Sequence, residues 1–157
     1  MKAIVLERPG QLRYIDMEAP QTPGAGEALI RIRCVGVCGT DLHAFRGEQP
    51  FFSYPRLLGH ELSAEVVAIG SLAEGADTGA INLAPTTRCA LEPYFYCGHC
   101  PQCRRGATNC CANLKVFGVH IDGGMREFAI VPISQLHPSS TLSFEQLALV
   151  EPLSIGA

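Results

Sequence analysis

Cys97-Gly98-His99-Cys100-Pro101-Gln102-Cys103, followed by Cys111, gives a C-x2-C-x2-C-x7-C spacing. Thiolates set two residues apart in a tight turn can face one ion, and Gly98 and Pro101 supply the bends. Four sulfurs at about 2.3 Å form the closed tetrahedral shell of a structural zinc, with no position left for water or substrate. Such a shell cross-links a segment that has no core of its own. C-x2-C-x2-C also opens ferredoxin-type iron–sulfur motifs, but those continue with x3-C-P, and this sequence does not. Cys110 competes with Cys111 as fourth ligand, and spacing alone does not choose between them. His99 is expected to face solvent.

A more dispersed set carries different chemistry. Cys38-Gly39-Thr40-Asp41-Leu42-His43 and Gly59-His60-Glu61 together offer a thiolate, an imidazole and carboxylates. That is the ligand mix of a catalytic zinc with one open position. Glu151, in a strongly apolar segment before Pro152, adds a further acid, and an unpaired charge there is expensive. Thr40 and His43, two and five residues beyond Cys38, are spaced to pass a proton from a bound alcohol toward solvent. Asp41 can hydrogen-bond the outer nitrogen of His60 and fix its tautomer.

These residues need elements to hold them, and composition bounds what those can be. The 157 residues suit one domain, and a 47% hydrophobic, 17% charged composition is that of an ordinary globular chain. A net charge of −3 and a pI near 5.9 argue against nucleic acid or an anionic membrane as partner. Arg104 and Arg105 follow Cys103, but an isolated basic pair is not a phosphate-binding patch. No apolar run reaches the roughly 18 residues of a membrane span, and the N-terminus meets Glu7 too early for an export signal. The expected location is cytoplasmic, where eight cysteines read as metal ligands rather than disulfides.

Alternation and β-branched residues predict strands over 2–6, 12–16, 28–37, 62–69, 88–91 and 127–131. A Pro/Gly-rich turn over 20–26 precedes the longest of them, and 73–85 reads as loop. Thr40 is expected to cap a short helix over 41–46. Ser143-Phe144-Glu145-Gln146 is a capping box opening one helix that runs to the end of the chain. The helix has no stop signal beyond Gly156, which suggests that the chain is a piece of a longer one. The fold class expected is mainly β, a distorted barrel with short helices.

The order and spacing of the Cys38 segment, Gly59-His60-Glu61, the four cysteines and Glu151-Pro152-Leu153 resemble the zinc-containing medium-chain alcohol and polyol dehydrogenases. The resemblance covers essentially the whole chain. The family signature departs at Ala64, where Gly is usual, and Thr86-Thr87 replaces a common Gly-Asp. The resemblance implies a GroES-like barrel over 1–157, with a structural-zinc lobe over 93–117 and, over 143–157, the start of the helix leading to a Rossmann domain. It implies two zinc ions per chain. Cys38 and His60 would hold the catalytic one, with Glu61 as ligand or near-ligand, and Cys97, Cys100, Cys103 and Cys111 the structural one. Glu151 stands where classical alcohol dehydrogenases have a cysteine, which points to the polyol, threonine and sugar-acid branch. The stretch 116–124 points the same way and brings His120 toward the cleft, although an ordinary loop histidine is an equal reading.

The chemistry so implied is oxidation of a secondary alcohol, with Thr40 and His43 removing the proton and hydride passing to NAD or NADP. The nucleotide-binding G-x-G-x-x-G is absent from these residues, so the chain alone is expected not to turn over. The missing Rossmann domain is then a partner, an exposed apolar cleft surface is expected, and the full-length parent would be a homo-oligomer. The competing reading is a non-catalytic zinc-binding module, for which one metal per chain rather than two would speak.

Overall fold

A computed structural model of the chain describes residues 1–71 and 83–157. The loop expected over 73–85 therefore lies mostly outside the described residues. The largest sheet has five strands in the order β10-β6-β5-β3-β9: β3 (Glu27–Gly36), β5 (Glu61–Ile69), β6 (Arg88–Leu91), β9 (Phe128–Pro132) and β10 (Leu136–Pro138). A second sheet orders β2 (Gln11–Asp16), β1 (Lys2–Arg8) and β4 (Arg56–Leu57), and all named pairings are antiparallel. The segment entering β9 joins the two: Ile4 N donates to Met125 O at 2.8 Å, and Ile32 N to Glu127 O at 2.9 Å. The result is the mainly β, distorted barrel with short helices expected from the sequence.

The core fills the barrel. Ile30, Leu62, Val66, Leu91, Phe117, Val131 and Leu136 are almost wholly removed from water. Burying each such side chain stabilises by about 1.5–3 kcal/mol. Ala64, where the family usually has Gly, sits fully buried on β5 between Ile32 and Cys89, so its methyl is absorbed in the core and does not face the site. Arg31 and Arg33 point outward on β3 and cover Phe128 and Phe144. No helix among the described residues is long and apolar enough to cross a membrane.

Two helix expectations need correction. The first helix, α1 (Gly39–Arg46), is capped by Cys38 rather than Thr40, because the Asp41 carboxylate reaches back to Cys38 N at 2.9 Å. A short helix, α2 (Pro101–Arg104), lies within the cysteine segment. The C-terminal helix is not continuous but divides into α3 (Phe144–Ala148) and α4 (Val150–Gly156). Pro152 explains the break: it has no N–H to offer Ala148 O, and its ring would strike that carbonyl, yet it is tolerated in the first turn of α4. The capping box at Ser143 and Gln146 is present in both directions. The remaining strands, β4, β10 and the pair β7 (Tyr94–Phe95) and β8 (Lys115–Val116), are two or three residues long, too short to reveal a period.

Candidate metal centres

The four cysteines converge. Cys100 Sγ lies 3.4 Å from Cys103 Sγ and 4.0 Å from Cys111 Sγ, and Cys111 Sγ lies 3.5 Å from Cys97 Sγ. A zinc with four sulfurs at about 2.3 Å has tetrahedral edges of about 3.8 Å, so these separations bracket the required one. They are far too long for disulfides, and all eight cysteines are free thiols. Local backbone builds the cluster. Gly98 takes φ +73°, and Cys100 caps α2 with Pro101 as its first residue. Backbone N–H groups of Cys97 and Asn113 donate to Cys111 Sγ, and that of Cys103 to Cys100 Sγ.

Electrostatics point the same way. Hydrogen bonding from the His99 backbone, above all, holds the Cys97 thiol down at about 6, and the Cys103 backbone lowers Cys100. Removal from water, with the adjoining Cys100 sulfur, pushes Cys103 up to about 12. Four sulfurs this close cannot all ionise unaided, whereas a divalent cation takes all four as thiolates. Cys111 rather than Cys110 belongs to the group. Cys110 is exposed on a single 3-10 turn, while Cys111 is buried. His99 is exposed, with Nδ1 against Cys97 O.

The second group comprises Cys38, His60 and Glu61, whose ligand atoms lie within 4.8 Å of one another. Cys38 closes the link between β3 and α1, and His60 and Glu61 stand at the start of β5. Asp41, buried to 3% exposure, lies against the backbone at Cys38 and beside His60. Its carboxylate accepts from Cys38 N at 2.9 Å and Gly59 N at 3.4 Å, and lies 3.8 Å from His60 Nδ1. That nitrogen is buried with no hydrogen-bond partner, and the Asp41 carboxylate faces it just beyond hydrogen-bond distance. A ladder from 123–125 holds the approach to His60: Gly123 N donates to Leu57 O, Gly124 N to Gly59 O and Met125 N to Leu58 O. Only glycine fits this crossing at Gly118 and Gly123, where a Cβ would strike the Gly59 backbone.

Gly36, given no role in the sequence, faces Glu61 across β3 and β5. A Cβ there would meet Glu61 Oε2 and stand 2.8 Å from Glu61 Cβ, so its bare backbone is the space the carboxylate uses. Thr40 Oγ1 lies 3.8 Å from Cys38 Sγ, and His43 is exposed one turn further along α1.

Glu151 stands apart from the group of three. It is buried to 8% exposure on α4, and its Oε1 accepts from Tyr94 Oη at 2.7 Å. Burial, then the Glu151 carboxylate and the nearby Cys38, push the Tyr94 phenol well above its ordinary value. A cavity of about 350 Å³ runs beside this pair, lined also by Glu92 and His137, which face each other at 3.2 Å. Tyr94 carries no spacing signal, because its partner is 57 residues away. His120 behaves as a loop histidine, its Nδ1 accepting from Val116 N at 3.0 Å.

A partly open antiparallel barrel with one four-sulfur group and one mixed Cys/His/Glu group defines the zinc-dehydrogenase type of catalytic domain. The family model described as the alcohol dehydrogenase GroES-like domain matches residues 24–141. The chain belongs to that family. It is 42% identical over its whole length to L-galactonate-5-dehydrogenase of Escherichia coli K12, covering 44% of that enzyme. Among solved structures it is similar to an alcohol dehydrogenase of E. coli CFT073 complexed with NADH, with a TM-score of 0.83 and 38% identity over 99% of this chain and 43% of that one. Galactitol-1-phosphate dehydrogenase of E. coli gives a TM-score of 0.87 and 30% identity, covering 99% of this chain and 43% of that one. The chain thus spans less than half the length of these relatives.

Proposed function

We propose that this chain is the metal-binding catalytic part of a zinc-dependent, NAD(P)-linked dehydrogenase that oxidises a secondary alcohol of a polyol or sugar acid. The observation that carries the reading is the convergence of Cys38, His60 and Glu61 beside the Thr40 hydroxyl, at a distance in sequence from the separate four-sulfur group. The donor sets fit two zinc ions: four thiolates for a closed structural shell, and one sulfur, one nitrogen and one carboxylate for an open one. With Nδ1 facing Asp41, Nε2 is the His60 nitrogen left to ligate. When bound at the open site, zinc supplies Lewis-acid polarisation of the substrate hydroxyl.

The chain's own residues then manage the proton. Thr40 Oγ1, beside Cys38, is placed to accept it from the hydroxyl, and exposed His43 on the same helix is placed to release it to water. The nicotinamide would come from a nucleotide-binding half beyond this chain. Leu149, Leu153 and Ile155, each more than 60% exposed around α4, support a docking surface for it. The assembled parent would be a cytoplasmic homo-oligomer acting on a small-molecule alcohol. His120 has no assigned task in this scheme, and 116–124 serves it through the glycine crossing that holds the approach to His60.

The test is metal content by mass spectrometry on the chain purified without chelator, with Cys38→Ser and Cys103→Ser alongside. Two zincs in the wild type, with one lost in each variant, is the expected result. Full-length protein carrying this segment is then assayed for NAD+ or NADP+ reduction with polyols and aldonates. Turnover that survives Cys38→Ser would overturn the mechanism. One zinc, insensitive to Cys38→Ser, would leave a structural module only.

A further inference from the structure

Solvent reaches the four clustered cysteines unequally. Cys97 and Cys103 are half-buried, whereas Cys100 and Cys111 are buried to 7% and 8% exposure. Two contacts divide the four sulfurs into pairs without remainder, each joining a half-buried sulfur to a buried one. Cys103 Sγ lies 3.4 Å from Cys100 Sγ, and Cys97 Sγ lies 3.5 Å from Cys111 Sγ. The third contact, 4.0 Å between Cys100 and Cys111, joins the two buried sulfurs. A disulfide needs about 2.05 Å, so each pair must close by about 1.4 Å. The two bonds would do different things. Cys100 caps the helix that carries Cys103, so a bond between them is local. Cys97 and Cys111 lie 14 residues apart, just beyond β7 and just before β8, so a bond between them ties those strands together. A zinc held by the four sulfurs does the same for a segment with no core of its own.

We propose that the four-cysteine segment is a site of reversible oxidation: a hydroperoxide converts it from a zinc-binding group into two defined disulfides, Cys100–Cys103 and Cys97–Cys111, and the second braces β7 against β8 in the metal's place. Each half-buried thiolate attacks one peroxide oxygen, breaking the O–O bond and leaving a sulfenic acid and a hydroxide. Its buried neighbour then attacks that sulfur, forms the S–S bond and expels a second hydroxide. Four electrons pass from four thiolates to two peroxides. With four protons, the products are two disulfides and four waters, with no change in the metal's charge. Because a resolving thiol stands within 3.5 Å of each attacked sulfur, the sulfenic acid is consumed before it reaches the irreversible sulfinic stage.

This inference rests on the four-sulfur zinc reading, and the experiment separates the two. The chain carrying Cys38→Ser and Cys110→Ser keeps the four-cysteine group as its one metal site and loses the exposed thiol beside Cys111. It is loaded with zinc and titrated with hydrogen peroxide. Released zinc is read with a chromogenic chelator, the bonds by tandem mass spectrometry of unreduced digests, and the brace by thermal unfolding. Two peroxides are expected to release the one zinc and to yield the two named bonds. The oxidised chain should melt roughly 5–10 °C above the reduced chain stripped of metal. Dithiothreitol with zinc should restore the starting state. A different pairing, sulfinic acid at Cys97 or Cys103, or an oxidised chain that melts with the stripped one overturns the proposal while leaving the zinc reading intact. A chain that holds no zinc before peroxide is added overturns both.

Discussion

Replacing Thr86 by glycine is expected to stabilise the protein. Residues 84–87 form a tight turn: Thr87 N donates to Ala84 O at 3.0 Å, Pro85 holds the second position, and Thr86 holds the third at φ +74°. That is the signature of a type II turn, whose third position favours glycine. For a residue with a Cβ the left-handed region costs about 1–2 kcal/mol, and a β-branched side chain lies at the upper end. Against this, glycine releases about 0.4–1 kcal/mol more chain entropy on unfolding. The Thr86 side chain is exposed and donates no hydrogen bond to any described residue, while its N–H, which glycine keeps, donates to Val66 O at 2.8 Å. The balance is a gain of about 1 kcal/mol. For a domain of this size that corresponds to a Tm rise of roughly 2–4 °C. Thermal unfolding followed by circular dichroism at saturating zinc reads it directly. Thr86→Asn should fall between, since asparagine tolerates this backbone better than threonine. A Tm that falls or stays level in Thr86→Gly would refute the strain argument.

Other substitutions address the mixed ligand group. Asp41→Ala strips the acceptor from two backbone N–H groups and the support from His60, so zinc affinity at the Cys38 site should fall about 10–100-fold, measured by chelator competition. The four-cysteine metal should be untouched, and equal loss at both groups would mean general unfolding instead. Gly36→Ala should displace the Glu61 carboxylate and weaken the same site without lowering the metal count at the cysteines. Unchanged affinity there would show that Glu61 is dispensable.

The fold was legible where strand-like pattern runs over four or more residues. The six strands read from pattern all appear, displaced by no more than two residues at an end, because an apolar–polar period has physical meaning once one face is buried. The two-residue strands and α2 were not readable, since their existence depends on what they pair with and on the turns of the cysteine segment. The Thr40 cap failed for a related reason: the Asp41 carboxylate binds back to Cys38 N, so the helix starts at Gly39 and takes Thr40 into its first turn. For the site, local spacing carried the four cysteines well and brought Cys38, His60 and Glu61 into view. It could not order two carboxylates around one ion. Glu61 and Glu151 differ in what lies beside them, a glycine backbone in one case and a tyrosine from 57 residues away in the other. Spacing within the chain encodes neither neighbour.

The ladder between 57–59 and 123–125 sets a timetable. His60 is held by chain that lies more than sixty residues downstream, so its setting must wait for a long loop to close. The four sulfurs sit within fifteen residues and need only a few turns. During synthesis or refolding, the cysteine segment can therefore capture its ion while the barrel is still open, and the mixed group becomes competent only after the sheet has assembled. A zinc pulse during refolding, read by thiol protection at Cys103 and Cys38, should find the first protected before the second. On the zinc reading, the chain would then acquire its brace early and its reactive centre last, when the walls around that centre already stand.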